Sequence, residues 1–348
     1  MRKLIAHAAA GIALALGGSG AALAQDKTEM KLAYYVGDQT AMSRWLVQWA
    51  ETLEKQSGGR LAVKRFPGAQ LGSTPQHYDL ARTGVADVTW FIHGSTPGRF
   101  PLTELINLPY MVGSAEIGVK VLNDAELRRQ YLDAEHKGVK VLLLFVHTPG
   151  GVFTSTRPVR TLTDFKGARL RYTSPTTRDY IQALGATPAG VPPTDTGEQM
   201  QKGVIDGTFV DYGGAAFAFR LAGTVKHVTE LYSYVASFGL AMNPEFWAKL
   251  SPANQKIITD TTTGRETEVG RLWDGQDVPG KKIVMDGGAQ VYAPSAADMA
   301  TFRKIGDGVS EARVKELEGK GLPARKVHAM MKSLSERHAK TSHTFWKE

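Results

Sequence analysis

Two stretches far apart in the chain carry the same local order. Leu80 to Phe91 runs from a helix end through Gly84-Val85-Ala86-Asp87 into an apolar strand, and Met200 to Val210 does so through Gly203-Val204-Ile205-Asp206. In both, glycine suits the left-handed residue that closes a helix, and the apolar run after the aspartate enters a sheet. Read as a repeat, the pattern gives two similar α/β lobes facing each other. Read as coincidence, it is a common helix–turn–strand join. The 348 residues exceed what one compact core usually holds, which also favours two lobes.

The surrounding pattern agrees with an α/β fold. Strand-like Met30–Tyr35 precedes a helix marked by Met42, Trp45, Leu46, Trp49 and Leu53 and stopped at Gly58-Gly59. Thr74-Pro75 reads as an N-cap with proline in the first turn. Ser114 opens a helix to about Ala134, and the apolar run Val139–Val146 is of the kind found in parallel sheets. The order then restarts after Pro149-Gly150-Gly151. Ser174-Pro175 starts a helix ending at Gly185, and Asp195 with Glu198 reads as a capping box. Val235–Asn243 is a strand placed to cross back to the first lobe. Ser251-Pro252 opens a long helical stretch expected to run past Trp273.

Arg2-Lys3, an apolar run to about Leu16 and Ala22-Leu23-Ala24 have the order of a secretory signal cut after Ala24. The apolar run is short for a membrane anchor. The hydrophobic share of 42% and charged share of 22% belong to an ordinary globular chain. No cysteine is present, which excludes disulfides, zinc–thiolate sites, iron–sulfur clusters and cysteine nucleophiles. The net charge of +8 is spread along the chain. The basic stretch from Glu311 to Glu348 reads as a solvated helical face, and no nucleic-acid partner is expected. No P-loop, HExxH pair or GxSxG elbow occurs, and neither a cofactor nor a metal is called for.

One constellation carries chemistry. Alternation along Phe165–Ser174 sets Arg169 and Arg171 on one strand face, and Arg171 sits at the strand's carboxyl end before the helix start at Ser174-Pro175. Open α/β sheets bind ligands at that edge. An arginine fork beside helix N–H groups suits a carboxylate, whereas a surface ion pair is the plainer use of such a residue.

Several stretches together resemble the periplasmic solute-binding subunits of tripartite ATP-independent periplasmic (TRAP) transporters of the dicarboxylate-binding type. They are Ser57–Val63, Phe66–Gly72, Gly84–Asp87, Phe100–Leu105 with Leu108-Pro109-Tyr110, Asp164–Arg171, Ala183–Ala186, Gly203–Gly207, and Met242-Asn243-Pro244 with Trp247 and Leu250. The resemblance implies a two-lobed, periplasmic-binding-protein-like α/β clamp whose lobes are discontinuous in sequence. Residues 25–147 with about 235–255 would form one lobe and 148–234 with about 285–348 the other, braced by a long helix over about 251–284. It implies a small organic acid in the cleft, delivery to membrane permease subunits, and Arg171 as the grip on the ligand carboxylate. After Asp206-Gly207 the chain departs from the pattern. Thr208-Phe209-Val210-Asp211-Tyr212 stands where the family often has Glu followed by Asn or Pro.

The expected ligand-binding residues are therefore Arg171, Thr173, Tyr35, His93, Phe153, Phe209, Asp211 and Tyr212. The aromatics serve equally well as core packing. If they face the cleft, they fit a monocarboxylate with an apolar or aromatic body, 2-hydroxy and 2-oxo acids included, over a C4-dicarboxylate, because Asp211 would repel a second carboxylate. A periplasmic enzyme acting on a small carboxylate is the competing reading, and it lacks a recognisable acid, base or nucleophile set. A monomer without catalytic residues is expected.

Overall fold

The computed structural model describes residues 27–346; the proposed signal peptide lies outside the described residues. The first lobe begins with β1 (Thr28–Tyr34), α1 (Ala41–Gln56), β2 (Leu61–Phe66), α2 (His77–Arg82) and β3 (Val88–Ile92). After α3 (Ala115–Leu122) and the short turn α4 (Ala125–Leu127), β4 (Lys140–Val146) leads directly into β5 (Gly150–Thr154). The second lobe continues with β6 (Arg169–Arg171), α5 (Pro175–Ala183), β7 (Thr187–Ala189), α6 (Thr196–Gln201), β8 (Gly207–Val210) and β9 (His227–Tyr234). Then β10 (Ser237–Met242) is followed by α7 (Pro244–Lys249), α8 (Pro252–Thr262), α9 (Glu266–Asp286), β11 (Gln290–Tyr292), α10 (Ala296–Gly319) and α11 (Ala324–Ala339).

The strands form two sheets, ordered β2-β1-β3-β10-β4 and β11-β9-β5-β8-β6-β7. The chain changes sheet twice, through residues 147–149 between β4 and β5 and residues 235–236 between β9 and β10. As a result β10 runs antiparallel between β3 and β4, and β5 antiparallel between β8 and β9. Each sheet is thus completed by a strand delivered from the other lobe.

The repeated join is the same object in both lobes. Gly84 and Gly203 sit at φ +74° and +66°, each between a short helix and a strand. The Asp87 carboxylate accepts the Lys31 N–H at 2.7 Å. The Asp206 carboxylate likewise accepts the Arg169 N–H at 2.8 Å. In each case the aspartate is tied to the neighbouring parallel strand, at mid-strand in β1 and at the first residue of β6.

Four local expectations change in the structure. β4 is antiparallel to its partner, since an apolar run reports burial on both faces and not the direction of pairing. The helix from Ser114 stops at Leu122, where the Asn123 amide donates to the Val119 and Leu144 carbonyl oxygens and ties the helix end to β4. Ser73, not Thr74, occupies the N-cap position, with Gln76 closing the capping box. Asp195 is itself in a helical conformation and makes no cap bond; its carboxylate takes the Thr194 hydroxyl instead.

The long C-terminal helix also divides, because Gly264 takes φ +77° and separates α8 from α9. α9 spans both lobes through close approaches and through hydrogen bonds that its aspartate side chains accept from backbone N–H groups. A Cβ on Gly270 would lie 2.3 Å from Glu116 Cα in the first lobe, and one on Gly280 would lie 2.7 Å from the Tyr212 carbonyl carbon in the second. The Asp274 carboxylate accepts the N–H groups of Ala115 and Glu116 at the start of α3. Asp277 accepts the Gly213 N–H at 2.8 Å. Further on, α10 packs on α5 and α11 packs on α3. Among the described residues no helix is long and apolar enough to cross a membrane.

Candidate ligand-binding site

The two sheets present the carboxyl ends of β1, β3, β6 and β8 to a common cleft, the edge at which open α/β sheets take ligands. A cleft with about 510 Å³ of empty space, part of it open solvent, lies there. Tyr35 and Trp90 come from the first lobe, Arg171, Thr173, Asp211 and Phe219 from the second, and Trp273 and Gln276 from α9. His147 and Ala236, from the two sheet-crossing segments, complete the wall beside Tyr234 and Phe238.

Arg171 ends β6 and is 2% exposed. Its Nε donates to the Val191 carbonyl oxygen at 2.9 Å, and its guanidinium carbon lies 5.4 Å from the Phe219 ring centroid. Among the described residues Nη1 has no hydrogen-bond partner. Burial pulls the Arg171 pKa below its usual value, and the nearby Tyr234 and Tyr35 hydroxyls offset this in part. Arg169, two residues earlier, is exposed and pairs with Asp206 at 2.7 Å. Alternation gave the two arginines one face; their depth in the sheet gives them different tasks.

Other cavity-lining residues have buried donors without partners: Trp90 Nε1, Trp273 Nε1 and Gln276 Nε2. Buried donors are costly to leave unpaired, so a lining of this kind favours an acceptor-rich, anionic guest. Around these donors the wall is aromatic. Trp273 stacks on Phe238 with centroids 5.7 Å apart and planes 3° from parallel, and Trp90 meets both rings near edge-on.

His147 links the two crossings. Its Nε2 accepts the Ala236 N–H at 2.9 Å, so Nδ1 carries the ring proton and donates to the Thr148 carbonyl at 2.6 Å. Burial lowers its pKa, with the Asp211 charge opposing. Because Nε2 is occupied as an acceptor, the ring is neutral, and its 3.4 Å approach to Asp211 is not an ion pair.

Tyr35, Arg171, Thr173 and Asp211, all expected at the site, line the cavity. The other four lie elsewhere. His93 points into a separate cluster with Phe91, Phe100 and His136. Phe209 packs between Tyr180 and Tyr234. Phe153 packs on Tyr212, whose hydroxyl donates to Glu230 at 3.0 Å. These strands are buried on both faces, so alternation did not tell the cleft face from the helix-covered face. Trp90, His147, Phe219, Tyr234, Phe238 and Trp273 were not foreseen. Only His147 had a local sign, as a polar residue directly after the apolar run of β4.

Comparison with known proteins agrees with this architecture. A TRAP solute-binding protein from Rhodoferax ferrireducens, solved with copurified benzoate, superposes with a TM-score of 0.86 at 28% identity, covering 91% of this chain and 100% of that one. A marine metagenome TRAP solute-binding protein specific for aromatic acid ligands, solved with metahydroxyphenylacetate, gives 0.85 at 28% identity, covering 89% and 99%. A Bordetella bronchiseptica relative with bound mandelate gives 0.80 at 27%, covering 89% and 99%. The C4-dicarboxylate-binding periplasmic protein DctP of Rhodobacter capsulatus is 24% identical over 278 residues, 78% of this chain and 80% of that protein. The profile of the DctP family, bacterial extracellular solute-binding protein family 7, matches residues 32–316, and the chain belongs to that family of TRAP transporter solute-binding proteins.

Proposed function

We propose that this protein captures an aromatic monocarboxylate in the periplasm and delivers it to the membrane permease subunits of a TRAP transporter. The observation that carries the reading is the buried Arg171 guanidinium, with Nη1 unpartnered in a cavity walled by Trp90, Phe219, Tyr234, Phe238 and Trp273. The fork meets the carboxylate, and the rings enclose an apolar body. Arg171 is the one arginine or lysine among the described residues lining the cavity, which fits one carboxylate better than two. Relatives of 27–28% identity hold benzoate, metahydroxyphenylacetate and mandelate. Tyr35, Thr173 and Asp211 complete the binding set.

In this reading the protein is exported, cleaved after Ala24, acts as a monomer and binds its ligand without turning it over. Native mass spectrometry of the purified protein, followed by calorimetry with benzoate, mandelate and succinate, tests it. Recovery of an unreacted aromatic acid and selective binding of the aromatic probes is the expected result. Binding of succinate with no response to either aromatic acid would overturn it.

A further inference from the structure

Asp211 lies in the wall of the same cavity as Arg171 and is buried. Its Oδ2 accepts the Gly214 N–H at 2.9 Å. Its Oδ1 stands 3.4 Å from His147 Nδ1, whose proton is committed to the Thr148 carbonyl. A buried carboxylate oxygen with so little satisfaction from the protein keeps acceptor capacity. The unpartnered side-chain groups of the cavity described above are donors, so Asp211 adds an acceptor to the same lining.

Arg171 and Asp211 are set apart by the sheet. Arg171 lies in register with Thr208 on the neighbouring parallel strand, and Asp211 follows Thr208 by three residues. That is roughly 10 Å along the strand, and Arg171 Nε is held on the β7 side by the Val191 carbonyl, so the guanidinium and the carboxylate occupy separate places on the cavity wall. Asp277, which accepts the Gly213 N–H, puts a second carboxyl behind the same turn.

We propose that Asp211 is a specificity-determining residue of this site and selects aromatic acids bearing a ring hydroxyl remote from the carboxylate, with the hydroxyl donating to Asp211 Oδ1. This rests on the aromatic-monocarboxylate reading above. The same carboxylate discriminates against a second ligand carboxylate at that end, which would meet a like charge in a poorly hydrated cavity.

Calorimetry on the purified protein with benzoate, 3-hydroxybenzoate, 4-hydroxybenzoate and benzene-1,3-dicarboxylate decides it. A hydrogen bond to a buried charge predicts that at least one hydroxybenzoate binds about tenfold tighter than benzoate or better. The dicarboxylate should bind at least about tenfold more weakly than benzoate. In Asp211→Asn, the hydroxybenzoate-to-benzoate preference should fall below about threefold. Because that preference compares two ligands on one protein, a partly unfolded fraction cancels. Benzoate binding as tightly as both hydroxybenzoates, or a preference that survives in Asp211→Asn, overturns the role of Asp211 and leaves the aromatic reading standing. If none of the aromatic monocarboxylates binds, both fall.

Discussion

Gly94 and Thr173 meet across the two lobes so closely that a Cβ on Gly94 would lie 2.3 Å from the Thr173 carbonyl oxygen. Ser174 Cβ would be 2.8 Å from the same point. Gly94 follows β3 and Thr173 follows β6, so this contact shuts the cleft beside Arg171. Domain closure over the ligand therefore needs a residue without a side chain at position 94. Gly94→Ala should weaken ligand binding by about tenfold or more, mainly through faster release, while the unliganded protein keeps its melting temperature. Stopped-flow release of a bound aromatic acid measures it. An unchanged off-rate would show that closure tolerates the methyl group.

Arg171 is the second test. Its Nε is held by the Val191 carbonyl, so the guanidinium is oriented before a ligand arrives. Arg171→Ala should cost about 100-fold or more in affinity, because the ligand carboxylate would be enclosed without its partner. Arg171→Lys should not restore binding, since an ammonium offers no fork. Near-wild-type affinity in Arg171→Ala, read by calorimetry, would remove Arg171 from the site, and near-wild-type affinity in Arg171→Lys would show that a point charge suffices.

The His93–His136 pair predicts acid sensitivity. His136 Nδ1 donates to the Leu132 carbonyl at 2.8 Å, so its Nε2 is the acceptor for His93 Nε2–H at 2.9 Å. Both rings are neutral and buried. Burial, with the Leu132 hydrogen bond opposing, pulls the His136 pKa from 6.5 to about 4. A depressed folded pKa contributes stability that is present above pH 6.5 and lost as the pH falls toward 4. Urea titrations should show stability declining across that range. In His136→Asn the pH dependence should be shallower by roughly one proton. Parallel wild-type and variant curves would exclude His136 as the titrating group.

Glu104 predicts the opposite sign. Its Oε2 is buried without a partner among the described residues, and burial raises its pKa from 4.5 to about 8 despite the opposing charge of Arg313. A raised folded pKa contributes stability that is complete below pH 4.5 and is lost as the pH rises through 8. Glu104→Gln, a neutral mimic of the protonated acid, should be the more stable protein at pH 9, by about 1–3 kcal/mol. At pH 5 the two should differ little. Thermal unfolding at both values checks this, and an equal offset at pH 5 and pH 9 would rule out titration of Glu104.

Residues close in sequence decided what the sequence alone could determine. The strand–helix alternation, the glycine joins at Gly84 and Gly203, the Ser174-Pro175 helix start and the position of Arg171 at a strand end all follow from local conformational preference and short-range periodicity. The repeat left a further local trace in Asp87 and Asp206, although their identical bonds to β1 and β6 become visible only once the strands are paired. Which rings enclose the ligand was decided by tertiary structure. Phe153 and Phe209 lie on strands buried on both faces, where a period of two marks no preferred side. Trp90, Tyr234 and Trp273 reach the cavity from β3, β9 and α9, segments up to 183 residues apart that are brought together by the two sheet crossings and the brace. Nothing local to Trp273 announces that its neighbours will be Phe238 and Trp90, because the packing depends on where three distant segments meet.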